Sequence, residues 1–341
     1  MKKIRIEDAV GQVLCHDMTG ISGTQKGVVF KRGHVIKSED IQRFLDIGKN
    51  HIFIWEPDAD EVHEDDAALA AAEAVCGSGI SYDKTPSEGK ILMYAERPGL
   101  FRVNREALRG INSVGDYTIA CLPDLTDVAD GSKLGGIRIV PLVTKRANAA
   151  SVVEIANAGQ PVFTVMPYKN LKCGVVVTGT EIYHGRIADR FEPIMRSKLS
   201  RFGAEFLGAV KCPDDLDMIL GAIADFESQG AELMLLTGGM SVDPDDITPS
   251  AIRACGARVV TQGVPMQPGN MLTIAYLGGA AVIGVPGASM HSPVTSLDVF
   301  LPRIFAGIEI TPDDIPGKGE GGFCLNCKQC TYPVCYFGKD R

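Results

Sequence analysis

From residue 171 onward, short apolar runs alternate with stretches whose apolar positions recur every three or four residues. The runs at 173–177, 232–236 and 281–285 are nearly continuous in Val, Leu, Ile and Met, the pattern of strands covered on both faces. Further strands are expected near 204–210, 258–260 and 271–275, with helices at 193–202, 214–228, 248–255 and 297–305. Alternation at this spacing predicts an α/β domain over 169–310, with a mostly parallel sheet and helices on both faces.

The first 55 residues read as a β-rich segment carrying one helix at 38–48, where Ser38 can cap and Ile41, Phe44 and Leu45 form an apolar stripe. A strand at 51–55 closes the segment. Residues 56–66 then hold seven acidic side chains in eleven positions, a boundary signal read as a solvated turn leading into an alanine-rich helix at 65–76. Apolar runs at 90–95, 101–104, 117–122, 137–144, 151–158 and 162–166 place a mixed α/β domain over 56–168. It carries no chemical motif. Residues 311–341 are expected as a linker and a cysteine-rich tail.

Composition changes this picture in three ways. A formal net charge of −8 with no dense basic run argues against nucleic-acid binding, so any anionic ligand must be held by local groups. No signal peptide follows the basic start, and no run reaches the ~18 apolar residues that span a bilayer, so the chain is expected to be cytoplasmic and free of membrane. Of the ten cysteines, six (Cys15, Cys76, Cys121, Cys173, Cys212, Cys255) are scattered as buried thiols would be. The other four, Cys324, Cys327, Cys330 and Cys335, suit tetrahedral thiolate coordination of Zn²⁺ or an iron-sulfur cluster, with a disulfide pair or a redox-reactive tail as the alternatives.

In a parallel α/β sheet the ligand crevice lies beyond the carboxyl ends of the strands. The loops there are rich in Gly, Ser, Thr, Asp and Pro. Thr178, Gly179, Thr180 and Glu181 follow the first strand; Thr237, Gly238, Gly239 and Ser241 follow the third, where a glycine pair lets a phosphate approach backbone amides. Asp245 and Asp246 come next, able to hold Mg²⁺ beside the phosphate or to serve as a helix cap, with Thr248 as another cap. Pro268, Gly269 and Asn270 form a third loop, and Pro286, Gly287 and Ser289 a fourth.

As an ordered set, Thr-Gly-Thr-Glu (178–181), Gly-Arg-Ile-Ala-Asp (185–189), Thr-Gly-Gly-Met-Ser (237–241), Asp-Asp-Ile-Thr-Pro (245–249), Pro-Gly-Asn (268–270) and Val-Pro-Gly (285–287) resemble the molybdenum-cofactor biosynthesis domain. That family includes molybdopterin adenylyltransferases and molybdopterin molybdenumtransferases, and Val10 to Leu14 and Phe30 to Ile36 also look like the start of the latter. The resemblance implies that the glycine loops hold the phosphate of molybdopterin or its adenylated form. It implies catalytic roles for Asp246, Asp189 and Glu181, adenylyl or molybdate transfer as the reaction, and molybdoenzymes, other cofactor-synthesis proteins and a second copy of the chain as partners. The chain departs from the transferase pattern at Thr180, where an acidic residue is usual, at Asn270, where lysine is usual, and at Phe191, where asparagine is usual. The alternatives are a non-catalytic carrier, sensor or adaptor, and a binder of some other phosphorylated ligand.

Overall fold

The computed structural model describes residues 2–22, 25–54, 58–240 and 247–339. It divides into two compact units, one built from Met1–Tyr94, Asn104–Cys121 and Lys133–Phe163, the other from Ala95–Val103, Leu122–Ser132 and Thr164–Arg341.

The second unit carries the α/β domain. Its strands β1 (Lys172–Thr178), β2 (Glu205–Cys212), β3 (Leu233–Thr237), β4 (Arg258–Gln262), β5 (Thr273–Leu277) and β6 (Ala280–Val285) form one sheet in the order β2-β1-β3-β6-β5-β4. The four strands from β2 to β6 pair in parallel, and β5 and β4 extend the edge antiparallel. Between them run helices α1 (Thr180–Tyr183), α2 (Phe191–Ser200), α3 (Leu216–Ser228), α4 (Thr248–Ala254) and α5 (Ser296–Phe305).

The period of two along each strand sorts the core onto two faces. Val175, Leu235 and Ile283 pack with Met195 of α2 and Phe300 of α5. Val176, Leu236 and Val282 face the other way, against Ile223 and Phe226 of α3 and Ile252 of α4. Both sets are buried, so each large side chain contributes roughly 1.5–3 kcal/mol of transfer free energy. Gly174 interrupts the β1 run for a reason of space: a Cβ there would lie 2.6 Å from the Phe226 ring.

In the first unit, Ile6, Leu14, Phe30, Ile36, Phe44 and Ile52 form an apolar cluster, with the Phe30 and Phe44 rings stacked 4.0 Å apart. The helix expected at 38–48 is a 3₁₀ turn, Ser38–Asp40, running into an α-helix at Ile41–Asp46. Ser38 does not cap it; the Asp40 carboxylate turns back to accept from the Lys37 backbone N–H at 3.0 Å. Strands Ile80–Tyr82, Lys90–Ala95, Lys133–Ile139 and Tyr117–Cys121 make a four-stranded sheet. The run expected at 137–144 is broken after Ile139, where Pro141 opens a turn before Val143–Lys145, and the run at 151–158 lies in the helix Arg146–Ala158.

The acidic stretch is not wholly solvated. Glu61–His63 is a strand, and Glu64, which opens the helix Glu64–Val75, is only 3% exposed. Burial, reinforced by the Asp65 charge, pushes the Glu64 carboxyl up to about 7 from its usual 4.5. A carboxyl raised in the folded state supports folding below its unfolded pKa and withdraws that support as pH rises through the folded value. Stability should therefore fall between pH 4.5 and 7 through this group, by at most about 3 kcal/mol at 1.36 kcal/mol per unit. Glu64→Gln should flatten that part of the pH profile of urea unfolding; an unchanged slope would refute the assignment.

Among the described residues no helix is long and apolar enough to cross a membrane.

Candidate functional site

The register of the central strands sets the site. Val177 of β1 lies opposite Thr237 of β3, which lies opposite Val285 of β6, so three strands end at one level. The loops that leave them start side by side. Buried Thr178 donates its hydroxyl to the Thr237 carbonyl at 3.0 Å and stands 3.1 Å from the Thr248 hydroxyl. Gly238 (φ +86°) and Gly239 (φ +53°) then pass directly over Thr178. A Cβ on Gly238 would sit 2.2 Å from the Thr178 carbonyl oxygen, and one on Gly239 2.9 Å from the Thr248 hydroxyl. The glycine pair is thus demanded by the chain's own crossing, before any ligand is considered.

The loop after β2 supplies a residue that the sequence motifs did not mark. One Asp214 oxygen accepts from the backbone N–H of Thr180 at 2.8 Å and from its hydroxyl at 2.9 Å, tying the β1 and β2 loops together. Asp215, not Asp214, caps α3, accepting from the Met218 N–H at 2.9 Å.

Thr178, Gly179, Glu181, Gly238 and Gly239 line one cavity of about 440 Å³, joined by Arg190, Asp214 and His291. The carboxylates of Glu181 and Asp214 and the cationic Arg190 give it mixed charge. A larger concavity, about 910 Å³, opens among the turns at the opposite, amino ends of the strands, around Leu171, Glu232 and Ala281. It lies away from the carboxyl ends of the parallel strands, where the crevice of such a sheet is found, so the smaller cavity has the chemistry.

Other expected site residues are placed differently. Asp189 lies just before Arg190, the cap position of α2, and one of its oxygens accepts from the N–H groups of Phe191 and Glu192 at 2.8 and 3.2 Å. Its second oxygen is buried without a hydrogen bond, with the Lys211 ammonium 3.8 Å away. Thr248 is turned to Thr178 and does not cap α4, whose cap position is Ile247. Buried Thr237 directs its hydroxyl at the Val176 carbonyl. The third loop docks onto α5: the Ser296 N–H donates to the Pro268 carbonyl and its hydroxyl to the Gly269 carbonyl, while the Asn270 carbonyl accepts from Val264. In the fourth loop Pro286 is buried, Gly287 exposed, and the Ser289 hydroxyl meets that of Thr295 at 3.2 Å. None of these lines the cavity, although Met290 and His291, immediately beyond, do. Ser241, Asp245 and Asp246 lie outside the described residues.

Asp214, Arg190 and His291 were the positions sequence reasoning missed. The rule that pointed to the ends of β1 and β3 applies equally to the end of β2 and would have found Asp214. Nothing local marks Arg190 or His291. Among the described residues no three His, Cys, Asp or Glu side chains are gathered closely enough to hold a metal ion, and all ten cysteines are free thiols.

A largely parallel α/β sheet whose loops converge at one level defines an α/β domain with its crevice at the carboxyl ends of the strands. Residues 174–306 match the family described as probable molybdopterin binding domain, and this domain belongs to it. Residues 3–56 match a domain of unknown function. The chain is 28% identical over 192 residues to a molybdopterin molybdenumtransferase of Synechococcus elongatus, a stretch covering 53% of this chain and 45% of that relative. It is 27% identical over 219 residues to a molybdenum cofactor biosynthesis bifunctional protein of the same organism, covering 60% of this chain and 66% of the relative. The chain therefore spans less than half the length of the first of these. A solved structure of the tungsten cofactor synthesizing protein MoaB from Pyrococcus furiosus is similar at a TM-score of 0.32 and 20% identity, over 40% of this chain and 94% of that one.

Proposed function

We propose that the cavity at the ends of β1, β2 and β3 binds molybdopterin, or its adenylated form, through the terminal phosphate, and that the protein acts in molybdenum cofactor biosynthesis. The observation that carries this is the coincidence of the matched family segment with a cavity that unites Thr178, Gly179, Gly238 and Gly239 beside Arg190. Arg190 offers the phosphate a charge-assisted, planar donor. Glu181 and Asp214 can take Mg²⁺ in the usual manner of that ion, through one or two carboxylates with the remaining positions filled by water and substrate phosphate oxygens. Such an ion would offset the repulsion between the two carboxylates and the phosphate, and the reaction assigned by this reading is adenylyl or molybdate transfer on the pterin phosphate.

Titration calorimetry with molybdopterin under anaerobic conditions tests the binding. Arg190→Ala should weaken it about tenfold or more, the equivalent of one hydrogen bond to a charged group. Unchanged affinity would remove Arg190 from the site, and no saturable binding by the unaltered chain would end the proposal.

A second reading, a non-catalytic carrier, is favoured by Asn270, which stands where transferases usually have lysine and whose loop is committed to packing against α5. Release of AMP from adenylated pterin with magnesium and molybdate present separates the two. Sustained release eliminates the carrier.

A further inference from the structure

The cysteine tail is attached at both ends to the unit that holds the α/β domain. At its start the Gln267 N–H donates to the Gly322 carbonyl at 2.7 Å, and the Cys324 N–H donates to the Gln267 carbonyl at 2.8 Å. At its far end Phe337 is 2% exposed within the core, and the Gly338 N–H donates to the Gly321 carbonyl at 3.0 Å. Tyr332 donates its hydroxyl to the Asp298 carbonyl at 2.9 Å. Between these anchors residues 325–331 form neither helix nor strand and are exposed throughout. With no hydrogen-bond ladder to break, this span can adjust its backbone angles enough to bring two of its side chains together.

All four tail thiols line a cavity of about 430 Å³. Among the described residues no three His, Cys, Asp or Glu side chains come close enough together to share a metal ion. The fold therefore does not assemble the zinc or iron-sulfur centre that the cysteine spacing predicts, and the chemistry left to these thiols is that of pairs. The four are not equivalent: Cys324 and Cys335 pack against the core of the unit, whereas Cys327 and Cys330 are exposed. Lys328 and Gln329 bend the chain between the exposed two, so both thiols stand on one short turn with the Cys-x-x-Cys spacing of dithiol pairs. Cysteines elsewhere differ in kind: burial pushes the Cys76 and Cys173 thiols up to about 12, which leaves little thiolate to react.

We propose that Cys327 and Cys330 are a thiol–disulfide exchange pair that reduces small organic disulfides held in this cavity. The volume is that of a small-molecule pocket, and Pro293, Val294, Tyr332 and Phe337 give its wall apolar surface for the carbon of such a ligand. One of the two thiols, after giving its proton to solvent, attacks a ligand sulfur; a bond forms between cysteine and that sulfur, the ligand S–S bond breaks, and the other half leaves as a thiolate. The second cysteine, likewise deprotonated, attacks the sulfur of the first, releases the remaining half as a thiolate and closes a Cys327–Cys330 disulfide. The two departing thiolates take up two protons, and two electrons have passed from protein to ligand. A dithiol reductant reopens the pair by the same exchange. Because His291 lines both this cavity and the strand-end cavity, the pair works one side chain away from the candidate phosphate site.

The test uses the full chain, reduced with a dithiol, desalted without air and mixed with hydroxyethyl disulfide. Mass spectrometry should show the loss of two hydrogens and, after digestion, a single disulfide between Cys327 and Cys330. Either single variant, Cys327→Ser or Cys330→Ser, should stop after the first step and keep half of the reagent as a mixed disulfide on the remaining thiol. With dithiol supplied for turnover, consumption of the reagent above the uncatalysed background should saturate with its concentration. That rate should fall at least about tenfold in the double variant, while Cys255→Ser leaves it unchanged. A disulfide between any other pair, indifference to the double variant, oxidation no faster than that of free cysteine, or a rate that never saturates would each overturn the assignment. None of these readouts involves pterin, so the exchange pair and the phosphate site stand or fall separately.

Discussion

Replacing Gly238 with alanine should destabilise the α/β domain by about 3 kcal/mol, combining left-handed backbone strain with overpacking. The new methyl group would lie 2.2 Å from a backbone carbonyl oxygen, and neither the oxygen nor the strand that carries it can yield. In a domain of this size the melting midpoint should drop by roughly 6–12 °C. Gly185→Ala supplies the control: its φ is +71°, but nothing lies within 4 Å of the added carbon, so only the strain of about 1–2 kcal/mol remains. Equal losses in the two variants would show that the close approach over Thr178 is not the reason for the glycine. The same result cautions that lost pterin binding in a Gly238 variant reports a displaced loop as readily as a lost contact.

The second large effect concerns a buried charge pair between α2 and α5. Lys198 of α2 donates to the Asp298 carboxylate of α5 at 2.5 Å and to the Pro293 carbonyl at 3.0 Å, and the two side chains are only 10% and 3% exposed. Asp298 also receives the Thr295 N–H at 2.8 Å, capping α5. Lys198→Met keeps most of the volume but leaves a carboxylate buried without its cation. A loss of about 3–5 kcal/mol is expected in urea unfolding. Adding Asp298→Asn, which retains cap geometry without the charge, should restore part of it. A single variant within about 0.5 kcal/mol of the parent would mean that water reaches the pair.

The α/β domain was legible because strands buried on both faces must be apolar throughout. Val175 to Val177 and Leu233 to Leu236 could hardly be anything else once helical stretches separated them. The loops beyond their ends were legible for the same reason, and Gly179, Gly238 and Gly239 do share a cavity. What could not be read is what each polar residue does with its hydrogen bonds. Asp189 looks like a site carboxylate until its partners prove to be the first N–H groups of α2. Pro268 and Gly269 look like a phosphate turn, and the fold packs them onto α5, where Ser296 donates to both their carbonyls. Glu64 stands in a run of acids that reads as solvated, and only the fold shows it enclosed. In each case a long-range neighbour decides, and one-dimensional patterning carries no trace of it.

The two units are not consecutive along the chain. The strand Gly99–Val103 pairs with Thr126–Val128 and lies in one sheet with Phe163–Pro167, so short excursions from the first half complete the unit that holds the α/β domain. A fragment beginning at residue 164 would leave that small sheet with a single strand. A single cut after residue 163 therefore leaves every residue of the first unit on one fragment but strips the second unit of two of its segments, so the second unit cannot be liberated intact by one cleavage.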